Sequence, residues 1–300
     1  MSFSGDVKKE LCRMELEKNC CNRAELAGLF AFSGMMRGKD FIMRTENELV
    51  AKRAATLILM LFDVRVDIET VQRGAKGKLY SLCLSENMGQ KTILSALGLY
   101  ENMVKFAIDP FIATEPCCAR AFLRGAFLGG GSVNAPQRSY HFEIETHYFG
   151  LSRDLSALLS DLDFETKTVT RKSSYVTYIK DSEVIGDVLA TMGATGSMME
   201  LYNAKIEKEL NNAVNRRVNC DTANLTKTVN AAVAQTASIK HLIAKQGEEA
   251  IPEHLRELAM LRLKYPEASL SELGEMLSTP ISKSGVNHRL KKLMQLAELI

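Results

Sequence analysis

Apolar residues near the C-terminus recur at the spacing of two short helices. The first helix follows Ser269, whose spacing to Glu272 is that of a capping box, and its apolar positions are Leu270, Leu273, Met276 and Leu277. Pro280 ends this helix, and Ser282 can cap a second one. The second helix has an apolar stripe made of Val286, Leu290, Leu293 and Ala297.

The opposite face of the second helix is polar and basic, and no acidic residue occurs between residues 276 and 297. Two short helices joined by a tight turn are typical of a helix-turn-helix, whose second helix enters the major groove of DNA. We therefore predict DNA contacts from Ser282, Lys283, Ser284, Asn287, His288, Arg289, Lys291 and Lys292. The alternative is an ordinary helical hairpin with a solvated basic face.

The segment from residue 202 to residue 246 is rich in alanine and polar residues. Asp221 is its only acidic residue after residue 211, and its basic residues include Arg216, Arg217 and Lys227. Apolar residues form a partial helical stripe at Val214, Val218, Leu225, Val229 and Val233. The segment is interpreted either as a helix that lies along the DNA backbone or as a solvated linker helix.

The first 200 residues contain the same series of elements twice, at an offset near one hundred positions. Each series begins with an apolar, glycine-containing helix, and an amphipathic helix over residues 6–20 precedes them. The first series continues with a strand (40–45), a helix (46–62), a hairpin (64–72 and 79–84, turning at Gly74 and Gly77) and a helix (88–99). The second continues with a strand (140–147), a helix (149–162), a hairpin (164–170 and 175–179) and a helix (183–192). Glycines in the two apolar helices would allow their backbones to approach closely.

The histidines and acids on one predicted strand could in principle bind a metal ion. In the strand over residues 140–147, His141, Glu143, Glu145 and His147 share one face, but residues two apart on a strand lie roughly 6.5 Å apart, so we interpret this face as solvated. Of the seven cysteines, none has C-x-x-C spacing, and the adjacent pairs Cys20-Cys21 and Cys117-Cys118 are poorly placed for disulfides. We predict reduced thiols, no metal site and no cofactor.

Residues 26–34, LAGLFAFSG, resemble the LAGLIDADG motif of homing endonucleases, and residues 123–131, LRGAFLGGG, resemble a weaker second copy. Together with the C-terminal helix-turn-helix, these motifs make the chain similar to the WhiA family of bacterial regulators. The resemblance implies a DNA-binding transcriptional regulator connected with sporulation, cell division and chromosome segregation. It also implies promoter DNA as the ligand, a helix-turn-helix similar to the promoter-reading region of sigma factors, and RNA polymerase or a co-regulator as a candidate partner.

The chain departs from the endonuclease motif at the residue before its final glycine. The motif places there, in each copy, an acidic residue that holds a divalent metal ion. Ser33 and Gly130 occupy these positions. We therefore predict no catalytic residues and no nuclease activity. Two alternatives remain: a nuclease that uses other residues, and a protein-interaction hub in which DNA contact is secondary.

Composition fits a globular chain of 300 residues that is 46% hydrophobic, with a net charge of only +2, so nucleic-acid binding must depend on a local patch. We predict an α+β domain over residues 1–200, with repeats at about 22–100 and 119–195. A basic helical linker (201–252) and an all-α helix-turn-helix domain (253–300) follow. Without a long apolar run or secretion signal, the expected location is the cytoplasm, in association with the nucleoid and not with a membrane.

Overall fold

The computed structural model describes residues 2–72, 77–99 and 108–299. The chain forms two compact units, Met1–Lys208 and Glu209–Ile300. The predicted turn residue Gly74 lies outside the described residues. Of the described helices, none is both long and apolar enough to cross a membrane.

The first unit contains the duplicated α+β fold that the sequence predicts. Its first half consists of α1 (Phe3–Arg13), α2 (Asn19–Ser33), β1 (Gly34–Arg37), β2 (Asp40–Thr45), α3 (Glu48–Phe62), β3 (Ile68–Gln72), β4 (Lys78–Leu84) and α4 (Gln90–Ala96). Its second half consists of α5 (Pro116–Gly130), β5 (Gly131–Val133), β6 (Phe142–Thr146), α6 (Phe149–Asp161), β7 (Lys167–Arg171), β8 (Ser174–Ile179) and α7 (Ser182–Met192).

The second unit is all-α. Helix α8 (Thr195–Gln246) includes the last residues of the first unit, and α9 (Glu253–Lys264), α10 (Leu270–Glu275) and α11 (Lys283–Glu298) follow it. The core of this unit includes Ile239 and Leu242 of α8 together with apolar residues of the three shorter helices. The domain limits predicted at residues 200 and 252 stay predictions; residues 209–246 belong to the same compact unit as α9–α11.

The observed elements differ from the predicted ones at several limits, and two strands were not predicted. Helix α1 ends at Arg13 and not at residue 20, because the backbone is extended at Met14 and Leu16 is 37% exposed. The helix predicted from residue 88 begins at Gln90, since Gly89 adopts a left-handed conformation with φ of 71°. Strands β1 and β5 were missed; each begins where a glycine after the apolar helix turns the backbone extended.

The two four-stranded sheets have the same antiparallel topology, β1-β2-β4-β3 and β5-β6-β8-β7. Phe41 on β2 pairs with Leu84 on β4, and Phe142 on β6 pairs with Ile179 on β8. All four side chains are buried, so each sheet packs one face on the helices. The equivalent order and register confirm the predicted repeat.

Helices α2 and α5 pack against each other through glycine. A Cβ atom added to Gly28 would overlap the carbonyl oxygen of Phe122, and one added to Gly125 would overlap the carbonyl oxygen of Glu25. Only hydrogen side chains allow two helix backbones to approach so closely. The structure thus places a glycine-mediated seam, defined here as the α2–α5 contact, between the two halves of the unit.

A buried charge network crosses this seam. The carboxylate of Glu25 on α2 is fully buried and accepts hydrogen bonds from Arg53 Nε at 2.6 Å and Arg124 Nε at 2.9 Å. Burial alone would lower the pKa of Arg53, but its hydrogen bond to Glu25 raises the pKa above its usual value. Arg124 also donates to Glu17 at 2.8 Å and to the Met192 carbonyl at 3.2 Å. One carboxylate therefore joins α3 of the first half to α5 of the second.

Replacing Gly125 by alanine should destabilise the first unit, because the added methyl group meets backbone atoms that cannot rotate away. Such overpacking typically costs about 1–3 kcal/mol, which urea unfolding of the full chain would measure. Gly285→Ala on α11 is a suitable control, since its Cβ would meet Ile281 at an ordinary 3.4 Å. Equal stability of the two variants would contradict the glycine seam.

Glu25→Gln should lower the free energy of unfolding by about 3–5 kcal/mol, because two buried guanidinium groups lose their shared counter-charge. The matched control is Glu48→Gln, which breaks an exposed pair with Lys52. Exposed pairs contribute about 0–1 kcal/mol, so the control should unfold near the unaltered protein. If both changes had similarly small effects, the Glu25 network would not stabilise the seam.

Candidate nucleic-acid interface

Helix α10 begins with the capping box that the sequence predicts. The Ser269 hydroxyl accepts a hydrogen bond from the Glu272 amide at 3.3 Å, and the Glu272 carboxylate accepts one from the Ser269 amide at 2.7 Å. Because the backbone amide and the hydroxyl of Ser269 interact with the charged carboxylate, the pKa of Glu272 lies below its usual value. This contact fixes the first helix of the helix-turn-helix in its predicted place.

The turn and the second helix also follow the prediction. The Ile281 amide donates to the Gly274 carbonyl at 3.2 Å, and the Ser282 hydroxyl accepts from the Gly285 amide at 3.3 Å to cap α11. The apolar stripe of α11 is buried at all four predicted positions, Val286, Leu290, Leu293 and Ala297. The stripe orients the opposite, basic face of α11 outward.

Two sets of contacts from α9 were not predicted; one holds the turn between α10 and α11, and the other holds the loop between α9 and α10. Glu257 on α9 accepts from the Ser278 amide at 2.7 Å and from its hydroxyl at 2.8 Å, and these bonds lower the pKa of Glu257. Arg262, which is buried on α9, donates to the carbonyl of Ala268 at 2.7 Å and to that of Pro266 at 3.2 Å. The sequence signal for Arg262 is its place in the apolar stripe of α9, seven residues after Leu255.

The predicted contact residues of α11 differ in solvent exposure and in whether their side chains have hydrogen-bond partners within the protein. Six side chains are exposed: Ser282, Lys283, Ser284, His288, Lys291 and Lys292. Asn287 is half-buried, and half-buried Arg289 donates to the His254 carbonyl at 3.4 Å. Ser282 acts as the helix cap and lies 2.9 Å from the Ser284 hydroxyl. Ser282 and Arg289 thus have structural partners, whereas the exposed lysines project from the helix.

Helix α8 contributes to the same surface. Lys227 lines a groove of about 280 Å³ together with Lys283 and Asn287 of α11. The described residues that line this groove include no acid. Arg216 and Arg217 are exposed but lie roughly 15 Å further along α8, outside the groove, given a rise of 1.5 Å per residue. The structure therefore brings Lys227 next to the recognition helix, which sequence spacing did not show.

The positions that correspond to the endonuclease acids lie at the C-terminal ends of α2 and α5. The Ser33 hydroxyl donates to the Leu29 carbonyl at 2.5 Å. A Cβ on Gly130 would lie 2.6 Å from the Glu145 carbonyl oxygen, so a larger residue would displace strand β6. Neither position supplies a carboxylate to the seam.

The predicted polar face of β6 is present, since Phe142 and Ile144 are buried on the other side. Glu143 contacts His141 at 2.9 Å and Arg171 at 3.5 Å, and Glu145 accepts a hydrogen bond from the Ser174 hydroxyl on β8. The acids on this face are therefore partnered within the sheet.

Among the described residues, one cluster of metal-capable side chains was not predicted from the sequence. Cys20, Cys21, Cys117 and Cys118 lie together at the N-terminal ends of α2 and α5. The signal was available, because the pairs are separated by the same 97 positions as Leu26 and Leu123 of the repeat. Equivalent positions of two helices packed across a seam should meet.

Three models of known protein domains match successive parts of the chain. The WhiA N-terminal LAGLIDADG-like domain matches residues 19–100, the WhiA LAGLIDADG-like domain matches residues 119–211, and the WhiA C-terminal HTH domain matches residues 214–297. The chain belongs to the WhiA family. Its helix-turn-helix and duplicated LAGLIDADG-like fold are therefore those of WhiA proteins.

Individual WhiA proteins are similar to this chain over nearly its full length. "Probable cell division protein WhiA" of Alkaliphilus metalliredigens is 40% identical over 311 residues, covering 99% of this chain and 98% of that protein. The WhiA protein of the same name from Clostridium beijerinckii is 41% identical over 311 residues, with coverage of 99% and 98%. The crystal structure of full-length WhiA from Thermatoga maritima has a TM-score of 0.61 at 25% identity and covers 100% of this chain and 99% of its own.

Proposed function

We propose that this WhiA-family chain is a sequence-specific, DNA-binding regulator of transcription that does not cleave DNA. The observation that carries the proposal is the groove lined by Lys227, Lys283 and Asn287. Lysine ammonium groups attract DNA phosphates, whereas an asparagine amide can form two hydrogen bonds with adenine. One surface therefore combines groups for affinity with a group for base discrimination.

Position along α11 divides the proposed contacts into two kinds. Lys283, Ser284, Asn287 and His288 lie in the first two turns, where the recognition helix of a helix-turn-helix meets base edges. Lys291 and Lys292 lie further along the helix and are proposed to contact phosphates. Arg216 and Arg217 would add phosphate contacts from α8, whereas Ser282 and Arg289 mainly shape the surface.

The biological setting is proposed from the family. The relatives are named probable cell division proteins, which supports a role for this chain in cell division. Chromosome segregation and sporulation are the related processes that the family implies. We expect the chain to act at promoters in the bacterial cytoplasm, within the nucleoid, with RNA polymerase or a co-regulator as its partner.

The proposed absence of cleavage depends on the ends of the seam helices. Metal-dependent phosphodiester hydrolysis requires carboxylates that hold the cation next to the scissile phosphate. Ser33 and Gly130 offer none, and the Ser33 hydroxyl is already bonded to Leu29. The first unit is proposed to act as a scaffold that retains the nuclease fold without its chemistry.

Asn287→Ala in the full chain should weaken binding to a preferred DNA site by about 1–3 kcal/mol and leave non-specific binding nearly unchanged. Lys291→Ala should weaken binding to both kinds of DNA and lower the slope of log K against log salt by about one. Fluorescence anisotropy with a selected site and a scrambled duplex, at several salt concentrations, would measure both effects.

Gln295→Ala is the control for these variants, because it truncates an exposed amide near the far end of the same helix. It should bind both duplexes like the unaltered chain. If Asn287→Ala bound the preferred and scrambled DNA as tightly as the control does, α11 would be a general phosphate binder and not a reader of sequence.

The full chain should not cleave DNA when it is incubated with supercoiled plasmid and Mg²⁺ or Mn²⁺, because no carboxylate pair can hold the cation at the seam. Gel analysis of nicked and linear products would measure this. Cleavage that co-purifies with the chain and disappears in a Ser33→Ala variant would instead favour a nuclease with non-standard residues.

A further inference from the structure

Two cysteine pairs meet across the seam, in the first turns of α2 and α5. Cys20 and Cys21 are the second and third residues of α2, and Cys117 and Cys118 are the second and third residues of α5. The Sγ atoms of Cys20 and Cys21 are 3.9 Å apart, and those of Cys117 and Cys118 are 4.0 Å apart. All four sulfur atoms lie within 4.8 Å of one another.

We propose that these four cysteines form a zinc site that joins the two halves of the first unit. Zinc bound by four thiolates is tetrahedral with Zn–S distances near 2.3 Å, which places the sulfur atoms roughly 3.8 Å apart. The two adjacent pairs already have this spacing, and the remaining sulfur distances need to shorten by at most about 1 Å. A single central ion therefore fits the cluster with little movement of the helices.

The position of the cluster lets an ion enter and become enclosed. Cys21 and Cys118 are 1% and 5% exposed, whereas Cys20 and Cys117 are exposed, so an ion can enter from solvent and become enclosed on its inner side. Burial raises the pKa of the Cys21 and Cys118 thiols, so a metal ion that binds here must displace their protons. All four sulfurs belong to the first turns of two helices, where the unpaired amides and partial positive charge of a helix N-terminus favour a thiolate.

The ligand type selects the ion. Four thiolates and no carboxylate favour a soft cation with tetrahedral geometry over Mg²⁺ or Ca²⁺, which prefer oxygen ligands. An iron–sulfur cluster is several atoms wide and would need its cysteine sulfurs further apart than this group provides. A mononuclear zinc ion is thus the occupant that matches both the chemistry and the size.

Disulfide formation is the competing chemistry. A disulfide requires an S–S distance near 2.05 Å, and adjacent cysteines meet this geometry poorly. Two pairings across the seam remain: Cys20–Cys118 with Cys21–Cys117, and Cys20–Cys117 with Cys21–Cys118. Both chemistries tie α2 to α5, so the experiment must distinguish a bound ion from covalent bonds.

The site lies at the opposite end of the seam from Ser33 and Gly130. Each seam helix has 15 residues, and its ends are about 20 Å apart at 1.5 Å per residue. The proposed ion therefore has a structural role, which is independent of the fate of the nuclease site and of DNA binding by α11.

The full chain, purified under reducing conditions and stripped of metal with a chelator, should bind one Co²⁺ per chain. The complex should show thiolate-to-cobalt charge transfer and the visible bands of tetrahedral cobalt. Zn²⁺ should remove these bands by displacing the cobalt, and it should raise the Tm of the metal-free protein by several degrees, because the folded state, in which the four sulfurs meet, binds it more tightly than the unfolded chain does.

The double variant Cys20→Ser/Cys117→Ser removes only the exposed pair, so the buried core beside the seam is kept. It should lose the tetrahedral cobalt bands and the rise in Tm with Zn²⁺. The matched control, Cys83→Ser/Cys220→Ser, removes two thiols outside the cluster and should behave like the unaltered chain. Circular dichroism would verify that both variants are folded.

Two results would overturn the proposal. One is the absence of tetrahedral cobalt bands from the unaltered chain, or their persistence in the folded Cys20→Ser/Cys117→Ser variant. The other is the detection, by mass spectrometry after thiols have been alkylated in intact cells, of disulfides that link Cys20 and Cys21 to Cys117 and Cys118 in either pairing. One zinc ion per chain in protein isolated without added metal would support it.

Discussion

The close approach of α2 and α5 is the constraint on which the rest of the first unit depends. Gly28 and Gly125 permit it, and the buried carboxylate of Glu25 ties both halves to it through Arg53 and Arg124. Equivalent positions of the two helices face each other. A residue type that the repeat places at one end of the seam therefore occurs there twice, once on each helix. Small residues at the C-terminal end leave no metal-binding acids, whereas cysteines at the N-terminal end collect four sulfurs.

Much of this fold can be predicted from the sequence because its signals are local. The limits of β2 and the alternation of β6 follow directly from the pattern of apolar residues, and the repeat follows from the order of the elements. Strands β1 and β5 could not be predicted, since Gly34 and Gly131 continue an apolar helix without a change in composition. The predicted end of α1 was wrong because Leu16 continues the helical spacing of apolar residues although its side chain is 37% exposed.

The interface shows the same division between local and tertiary information. The cap by Ser282, the capping box of α10 and the buried stripe of α11 depend on residues close in sequence, and all were predicted. The proximity of Lys227 to Asn287, the bonds of Glu257 to Ser278 in the turn, and the meeting of Cys20 with Cys118 depend on packing between segments that are separated in sequence. Of these three, the cysteines carried a sequence signal, in their shared offset within the repeat.

We propose that α11 and the neighbouring part of α8 direct this WhiA-family protein to particular DNA sequences. Genome-wide mapping of DNA bound in living cells, by crosslinking and sequencing, would test this proposal. We expect discrete peaks at promoters that share a common sequence motif. Uniform coverage of the chromosome, or peaks that share no sequence, would contradict it.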